Sequence, residues 1–302
     1  MQPDRRFLYS WEKQLIDIFS DKLFLKNFSA KEAEELCNKI SLVNSINSTN
    51  TFLIEKANEL CPLINPNGTI TENGKEFNFS LKASESQTKG RGRLGRTFVS
   101  PVLSGIYFSI AYVKEGGITA PALVTVSACT GICRAIEKSF GISCKIKWVN
   151  DVYYKGKKVC GILTEGIVNA KENRIDACVI GIGINLRTNG SFDDELKNKA
   201  GGILDAIPAG KETVNRVEFL ASCYKEIKKI FETNENIIEE YKSRSILTGK
   251  TVTVIPVIGD EKNSYTATVK GISDKAELIV QLSDGSIKNL SSGEVSLHST
   301  VI

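Results

Sequence analysis

With 302 residues, 41 % of them hydrophobic, the chain can bury one large core of about 200 residues and a smaller companion. Charged residues make up 25 % and the formal net charge is +4, which excludes the concentrated basicity of a nucleic-acid binder. One histidine, His298, supplies neither a zinc site nor histidine-based acid-base catalysis, so any chemistry must come from Lys, Arg, Asp and Asn. Met1 to Ser20 mixes Asp4, Arg5, Arg6, Glu12, Lys13 and Asp17 among its apolar residues. That is not the apolar core of a signal peptide or membrane helix, and the expectation is a cytoplasmic protein. The eight cysteines form no C-x-x-C pair and sit in apolar stretches, which predicts small buried thiols rather than disulfides.

Residues 1–40 carry two short helical patterns, Trp11 to Leu23 and Lys31 to Ile40, the second opened by a capping box of Ser29 and Glu32. This extension lacks the length, turn and wing of a winged helix-turn-helix, so DNA binding is disfavoured. A helix from about Asn50 to Leu60 follows, capped from among Asn47, Ser48 and Thr49. Cys61 to Lys75 reads as an inserted loop, Phe77 to Ser84 as a strand, and Ile106 to Val113 as the next strand. Pro121 opens a largely buried helix whose apolar residues, Leu123, Val126, Cys129, Cys133, Ile136 and Phe140, recur at helical spacing until Gly141. Strands are predicted at Cys144 to Val149, Val159 to Val168 and Ala177 to Ile184, the first two joined by a turn at Lys155-Gly156-Lys157. A long helical pattern, Val217 to Tyr241, breaks near Thr233-Asn234. After Gly249 come short strands, Thr251 to Val257, Tyr265 to Ile272, Ala276 to Leu282 and Ser286 to Leu290, the pattern of a small SH3-like barrel. The division is therefore a helical extension (1–40), an α/β domain with a mixed sheet (41–247) and an SH3-like domain (248–302).

Three constellations carry chemistry. Gly90-Arg91-Gly92-Arg93-Leu94-Gly95-Arg96 satisfies G-x-G-x-x-G, but the extended Thr97-Phe98-Val99-Ser100-Pro101 follows where a dinucleotide fold needs a helix. Its three guanidiniums suit a phosphate chain and a carboxylate; taken alone, the loop is equally an exposed basic loop or an Arg-Gly RNA-binding segment. In Lys147-Trp148-Val149-Asn150-Asp151, alternation sends Cys144, Ile146 and Trp148 to one face and Lys145 and Lys147 to the other. A cation, an amide and a carboxylate then meet at a strand end, a pattern that a surface lysine with an Asn-Asp turn would also give. Lys158 opens the next strand, Val159-Cys160-Gly161-Ile162-Leu163, and the hairpin returns it toward Lys147. In Ile180-Gly181-Ile182-Gly183-Ile184-Asn185, isoleucines fill one face while the glycines leave the other open to a flat ring or to a closely packed helix.

Ser48-Thr49-Asn50, Gln87, the Gly-Arg loop, Lys147-Trp148-Val149-Asn150-Asp151, Lys158 and Gly181-Ile182-Gly183-Ile184-Asn185 together resemble biotin protein ligases in order and spacing, over roughly residues 41 to 300. The resemblance implies a class II synthetase-like α/β ligase domain with an SH3-like C-terminal domain. It implies ATP and biotin as substrates, Mg2+ as the metal, and a biotin carboxyl carrier domain of a biotin-dependent carboxylase as partner. It leaves a homodimer open. By resemblance, Arg91 and Arg93 clamp the carboxylate and α-phosphate, Arg96 the phosphates, and Lys147 and Lys158 the charge developing at phosphorus. Asp151 orients magnesium or the incoming lysine amine. Ser48, Thr49, Asn50 and Gln87, with Gly92 and Gly161, line the biotin site; Phe98, Asn150, Gly181, Gly183 and Asn185 hold the adenylate. Two departures stand out: Val149 replaces the family's usual proline, and Phe98 stands where a tryptophan often covers the adenylate. The rival enzyme reading is a lipoate or octanoate ligase or transferase, a family that generally lacks this Gly-Arg loop. The rival of another class is a regulatory module binding a phosphate backbone, for which Phe98 is the one aromatic near the arginines.

Overall fold

The computed structural model describes residues 20–188, 199–207, 215–255, 261–291 and 294–297. Residues 11 to 19 of the first expected helix, the end of the Thr251 to Val257 strand, and His298 lie outside them. Two short helices come first, α1 (Asp21–Leu25) and α2 (Ala30–Leu36), and Ser29 and Glu32 form the expected reciprocal capping box. The second helix is shorter than its sequence pattern, because Ile40 already belongs to a strand, β1 (Ile40–Ile46), that the sequence reading missed. Ser48 accepts a hydrogen bond from the Thr51 amide and caps α3 (Thr49–Leu60).

The Cys61 to Lys75 segment carries a bridge between Ile64 and Ile70 and leads into α4 (Glu72–Phe77). Phe77 therefore ends a helix, and β2 (Leu81–Gln87) begins later than the expected Phe77 to Ser84 strand. Phe79, at φ 61°, makes the reversal between them. Next come β3 (Gly105–Val113) and α5 (Pro121–Phe140), which stops at Gly141 in the left-handed conformation as expected. A short β4 (Lys145–Lys147) turns through Trp148, Val149 and Asn150 into β5 (Asp151–Tyr154), a strand missed in the sequence. The Lys155-Gly156 turn thus joins β5, rather than β4, to β6 (Lys157–Asn169), which pairs along its length with β7 (Arg174–Asn185). α6 (Arg216–Glu232) and α7 (Ile238–Ser243) are separated at the expected break, where Asn234 takes φ 48°.

Among the described residues, seven strands form one mixed sheet in the order β1-β2-β3-β7-β6-β5-β4, with β1 and β2 parallel and the other pairs antiparallel. Its center is apolar on one face: Ile180, Ile182 and Ile184 of β7 and Ile106, Phe108 and Ile110 of β3 bury themselves with α5 and α6. The other face is shared. α3 and α4 cover part of it with Leu53, Ala57 and Phe77, and the remainder holds the motif residues. β8 (Thr251–Ile255), β9 (Tyr265–Ile272), β10 (Leu278–Gln281), β11 (Ile287–Leu290) and β12 (Glu294–Leu297) make the second sheet, antiparallel in the order β11-β10-β9-β8-β12. Val252, Val254, Val269, Leu278 and Val280 fill its core, the SH3-like arrangement expected. The two sheets meet where the buried Trp148 donates its indole N–H to the Ala276 carbonyl at 2.8 Å.

Six cysteines are buried, but Cys37 and Cys61 are exposed, so the expectation of buried thiols throughout is corrected at those two positions. All eight are free thiols. Burial pushes Cys129, Cys133, Cys160 and Cys223 well above the ordinary thiol value, which keeps them protonated and inert. No helix among the described residues is long and apolar enough to cross a membrane.

Candidate functional site

A cavity of about 50 Å³ opens on the glycine face of the large sheet. Most of the expected residues line it: Ser48, Thr49, Asn50, Gln87, Arg91, Gly92, Arg93, Phe98, Asn150, Lys158, Gly161, Gly181 and Gly183. Ile162, Leu163 and Ile182 complete the wall and were not foreseen. A larger cavity, about 350 Å³, lies on the other face between α5, α6 and the β9–β10 turn, and contains none of the motif residues.

One end of the small cavity is uncharged and tightly hydrogen-bonded. Gln87 Oε1 accepts from the Thr49 amide at 2.9 Å and the Thr49 hydroxyl at 3.2 Å, while its Nε2 donates to Ser100 Oγ at 3.0 Å. Beneath them Ser109, buried in β3, bridges Thr49 Oγ1 at 2.7 Å and Asn50 Oδ1 at 2.5 Å. Ser100 and Ser109 therefore orient the expected residues without having a motif of their own. A serine alternating with apolar residues in a strand was the one available signal for Ser109.

The other end is cationic. The Gly-Arg loop folds as an irregular hairpin with a single 3-10 turn at Arg93–Gly95, in agreement with the rejection of a dinucleotide fold. The Gly92 amide donates to the Arg96 carbonyl at 2.7 Å and the Phe98 amide to the Gly90 carbonyl at 2.9 Å. Arg93 Nη1 donates to Asn150 Oδ1 at 3.1 Å, and Asn150 Nδ2 donates to the Ile162 carbonyl at 2.8 Å, fixing the loop to the sheet. Arg91 pairs with Glu165 at 2.6 Å, a carboxylate the sequence reading did not single out.

Lys147 and Asp151 face each other across the β4–β5 ladder, and Asp151 pairs with Lys158 at 2.7 Å. The hairpin thus returns Lys158 toward Lys147 as expected, although Asp151 starts a strand rather than following one. Asp151 Oδ1 is buried, and its contact is the Lys158 ammonium at 2.7 Å. Gly161 gives Lys158 its room, since a Cβ there would lie 3.0 Å from the lysine Cε. Lys147, Asp151, Arg96 and Asn185 stand outside the cavity wall. Arg96 is exposed at the end of the loop, and Asn185 is buried at the end of β7 with its carbonyl accepting from the Ile203 amide at 3.0 Å.

The glycines of β7 are open to close approach, and the groups that approach them are the protein's own. A Cβ on Gly181 would sit 2.1 Å from Asn50 Oδ1, and one on Gly183 would sit 2.4 Å from the Phe98 ring. The Phe98 ring meets Tyr107 edge-on at 6.3 Å. The Tyr107 hydroxyl is within 2.8 Å of Ser104 Oγ and donates to the Pro101 carbonyl at 3.1 Å. Burial pushes the Tyr107 phenol up to about 12, so it stays neutral beside the Phe98 ring. Among the described residues no group of three or more His, Cys, Asp or Glu is placed to hold a metal ion.

Comparison with known proteins agrees with this geometry. The Biotin/lipoate A/B protein ligase family model matches residues 69–185, and the Biotin protein ligase C terminal domain model matches residues 248–298. The bifunctional ligase/repressor BirA of Bacillus subtilis is 28 % identical over 221 residues, 72 % of this chain; the chain thus spans 66 % of that relative's length. A biotin–[acetyl-CoA-carboxylase] ligase of Paracoccus denitrificans is 33 % identical over 105 residues, 34 % of this chain and 42 % of that one. The structure of the Aquifex aeolicus biotin protein ligase, in complex with biotin and ATP, superposes with a TM-score of 0.66 at 26 % identity, covering 86 % of this chain and 98 % of that one. The first match falls on strands and the loop that build the cavity and the second on the small antiparallel sheet, so the class is that of the two-part biotin/lipoate protein ligases. Within that class the chain belongs to the biotin protein ligase family.

Proposed function

We propose that this protein activates biotin with ATP and transfers it to one lysine of a biotin carboxyl carrier domain in a biotin-dependent carboxylase. The observation that carries the reading is the division of one cavity into an amide- and hydroxyl-lined end and a cationic end. An uncharged ureido ring needs directional hydrogen bonds, which Ser48, Thr49, Asn50 and Gln87 supply. A carboxylate attacking a phosphate needs its charge neutralised and its position fixed, which the arginines and lysines supply.

In the first step a biotin carboxylate oxygen attacks the α-phosphorus; the bond to the β,γ-phosphates breaks, giving biotinyl-5′-AMP and pyrophosphate. Arg91 and Arg93 hold the carboxylate and α-phosphate, Arg96 the departing phosphates, and Lys147 and Lys158 the charge gathered at phosphorus. Phe98 covers the adenylate, with Asn150 and Asn185 around adenine and ribose; the expected direct contact of Gly181 and Gly183 with the nucleotide is replaced by support of Asn50 and Phe98, which lie on them. In the second step the neutral amine of the carrier lysine attacks the acyl carbon, loses a proton and expels AMP. Asp151 would be the carboxylate for magnesium, an ion that keeps its waters and the ATP phosphates and needs only one or two carboxylates; its buried Oδ1 already meets the Lys158 ammonium at 2.7 Å, so the ion would share Asp151 with that lysine. Such an ion would neutralise phosphate charge. Residues 41–247 carry the chemistry in this reading and 248–302 the small barrel. A cytoplasmic location goes with it, supported by eight unpaired thiols.

Exchange of labelled pyrophosphate into ATP, run with biotin, lipoate and octanoate in turn, tests the first step without the carrier. Biotin alone is expected to support exchange, and Arg93→Ala or Lys158→Ala is expected to lower it by about 10²- to 10³-fold, the cost of losing one oriented charge stabiliser. Exchange with lipoate alone would move the chain to the sister activity, and no exchange with any acid would reject ligation.

A further inference from the structure

Glu165 joins the two ends of the cavity. It stands in the middle of β6, 22 % exposed, and its two oxygens serve different partners. Oε1 accepts from Arg91 Nη2 at 2.6 Å, and Oε2 accepts from Asn50 Nδ2 at 2.8 Å. The Asn50 amide is then fully specified, because Nδ2 also reaches the Leu163 carbonyl at 3.3 Å and Oδ1 accepts from Ser109. Arg91 is held through Nη2 alone, and a guanidinium has five N–H donors in a fixed fork. Its Nε and Nη1 edge is left for a second anion.

We propose that Glu165 is a positioning residue that aims Arg91 at the carboxylate of the acid to be activated. The proposal rests on the ligase reading above and adds a residue to it. An arginine side chain that is 45 % exposed loses rotamer freedom when it binds. Holding one nitrogen on Glu165 removes much of that loss beforehand. The guanidinium also lies between Glu165 and the incoming anion, so the two negative charges are separated by a positive one.

Titration calorimetry with biotin and with biotinol, the alcohol that lacks the carboxylate, separates aiming from mere packing. Glu165→Gln is expected to weaken biotin about fivefold, the scale of a partly exposed ion pair, and to leave biotinol within about twofold. On an Arg91→Ala background the same substitution is expected to change nothing further. Glu165→Asp keeps the charge and is expected to recover part of the affinity, an answer that holds even should the glutamine variant unfold. Equal losses for biotin and biotinol, additive losses in the double variant, or no loss at all would overturn the proposal while leaving the ligase reading intact. Failure of the unaltered protein to bind biotin would overturn both.

Discussion

The two faces of β7 are built from one hexapeptide and do opposite work. Ile180, Ile182 and Ile184 are at most 3 % exposed and pack into the main core. Gly181 and Gly183, one residue out of phase, present bare backbone on which Asn50 and Phe98 rest. Stability is concentrated on the first face and positioning on the second, so substitutions one residue apart should register in different assays.

The largest expected effect comes from Gly181→Ala. Its Cβ would meet Asn50 Oδ1 at 2.1 Å, and Asn50 is held by Ser109, Glu165 and Leu163 with nowhere to go. A displacement of about 1 Å at a positioning group costs about 10²-fold, and pyrophosphate exchange is expected to fall by that order. The neighboring Ile180→Ala is expected to lower unfolding free energy by about 2–5 kcal/mol in urea titration, with exchange per folded molecule unchanged. Equal losses of activity in the two variants would erase the distinction between the faces. A smaller effect is expected at Gly183, where the obstructing group is a ring rather than a pinned amide: Gly183→Ala combined with Phe98→Ala should recover activity relative to Gly183→Ala alone.

The smallest effect tests the helix-covered face by pH. The Arg244 guanidinium donates to both oxygens of Glu137, at 2.6 and 3.0 Å, and holds that carboxyl below its ordinary value. A depressed carboxylate contributes stability above its unfolded value of 4.5, and that contribution is lost as pH falls through the folded value. The melting temperature should therefore drop from about pH 5 downward, and Glu137→Gln should flatten that slope without altering exchange at neutral pH.

Much of this arrangement was legible because periodicity and punctuation agreed. Pro121 and Gly141 bracket α5 as read, and the alternation around Ile146 and Trp148 buries those side chains as read. The misses have local causes. Ile40 was absorbed into a helical pattern, and the alternation Ile40-Ser41-Leu42 that marks the strand is broken at once by Val43 and Asn44. β5 was missed because four residues, Asp151 to Tyr154, are too few to show a period. At the site, the glycines of β7 were correctly read as points of close approach, but sequence could not say that Asn50 and Phe98 are what approaches them. Glu165 and Ser109 escaped notice because an isolated polar residue in an apolar strand becomes informative only once its neighbors in space are known.

The indole of Trp148 gives the small sheet a structural debt to the large one. The turn that presents Asn150 and Asp151 is anchored by an N–H whose acceptor, the Ala276 carbonyl, belongs to the other sheet. A chain ending at Leu247 would keep every residue of the cavity yet leave that indole without its protein acceptor and open to water. The small barrel is in this sense a buttress: among the described residues it contributes none to the cavity wall, and it still anchors the turn from which Asn150 reaches that wall.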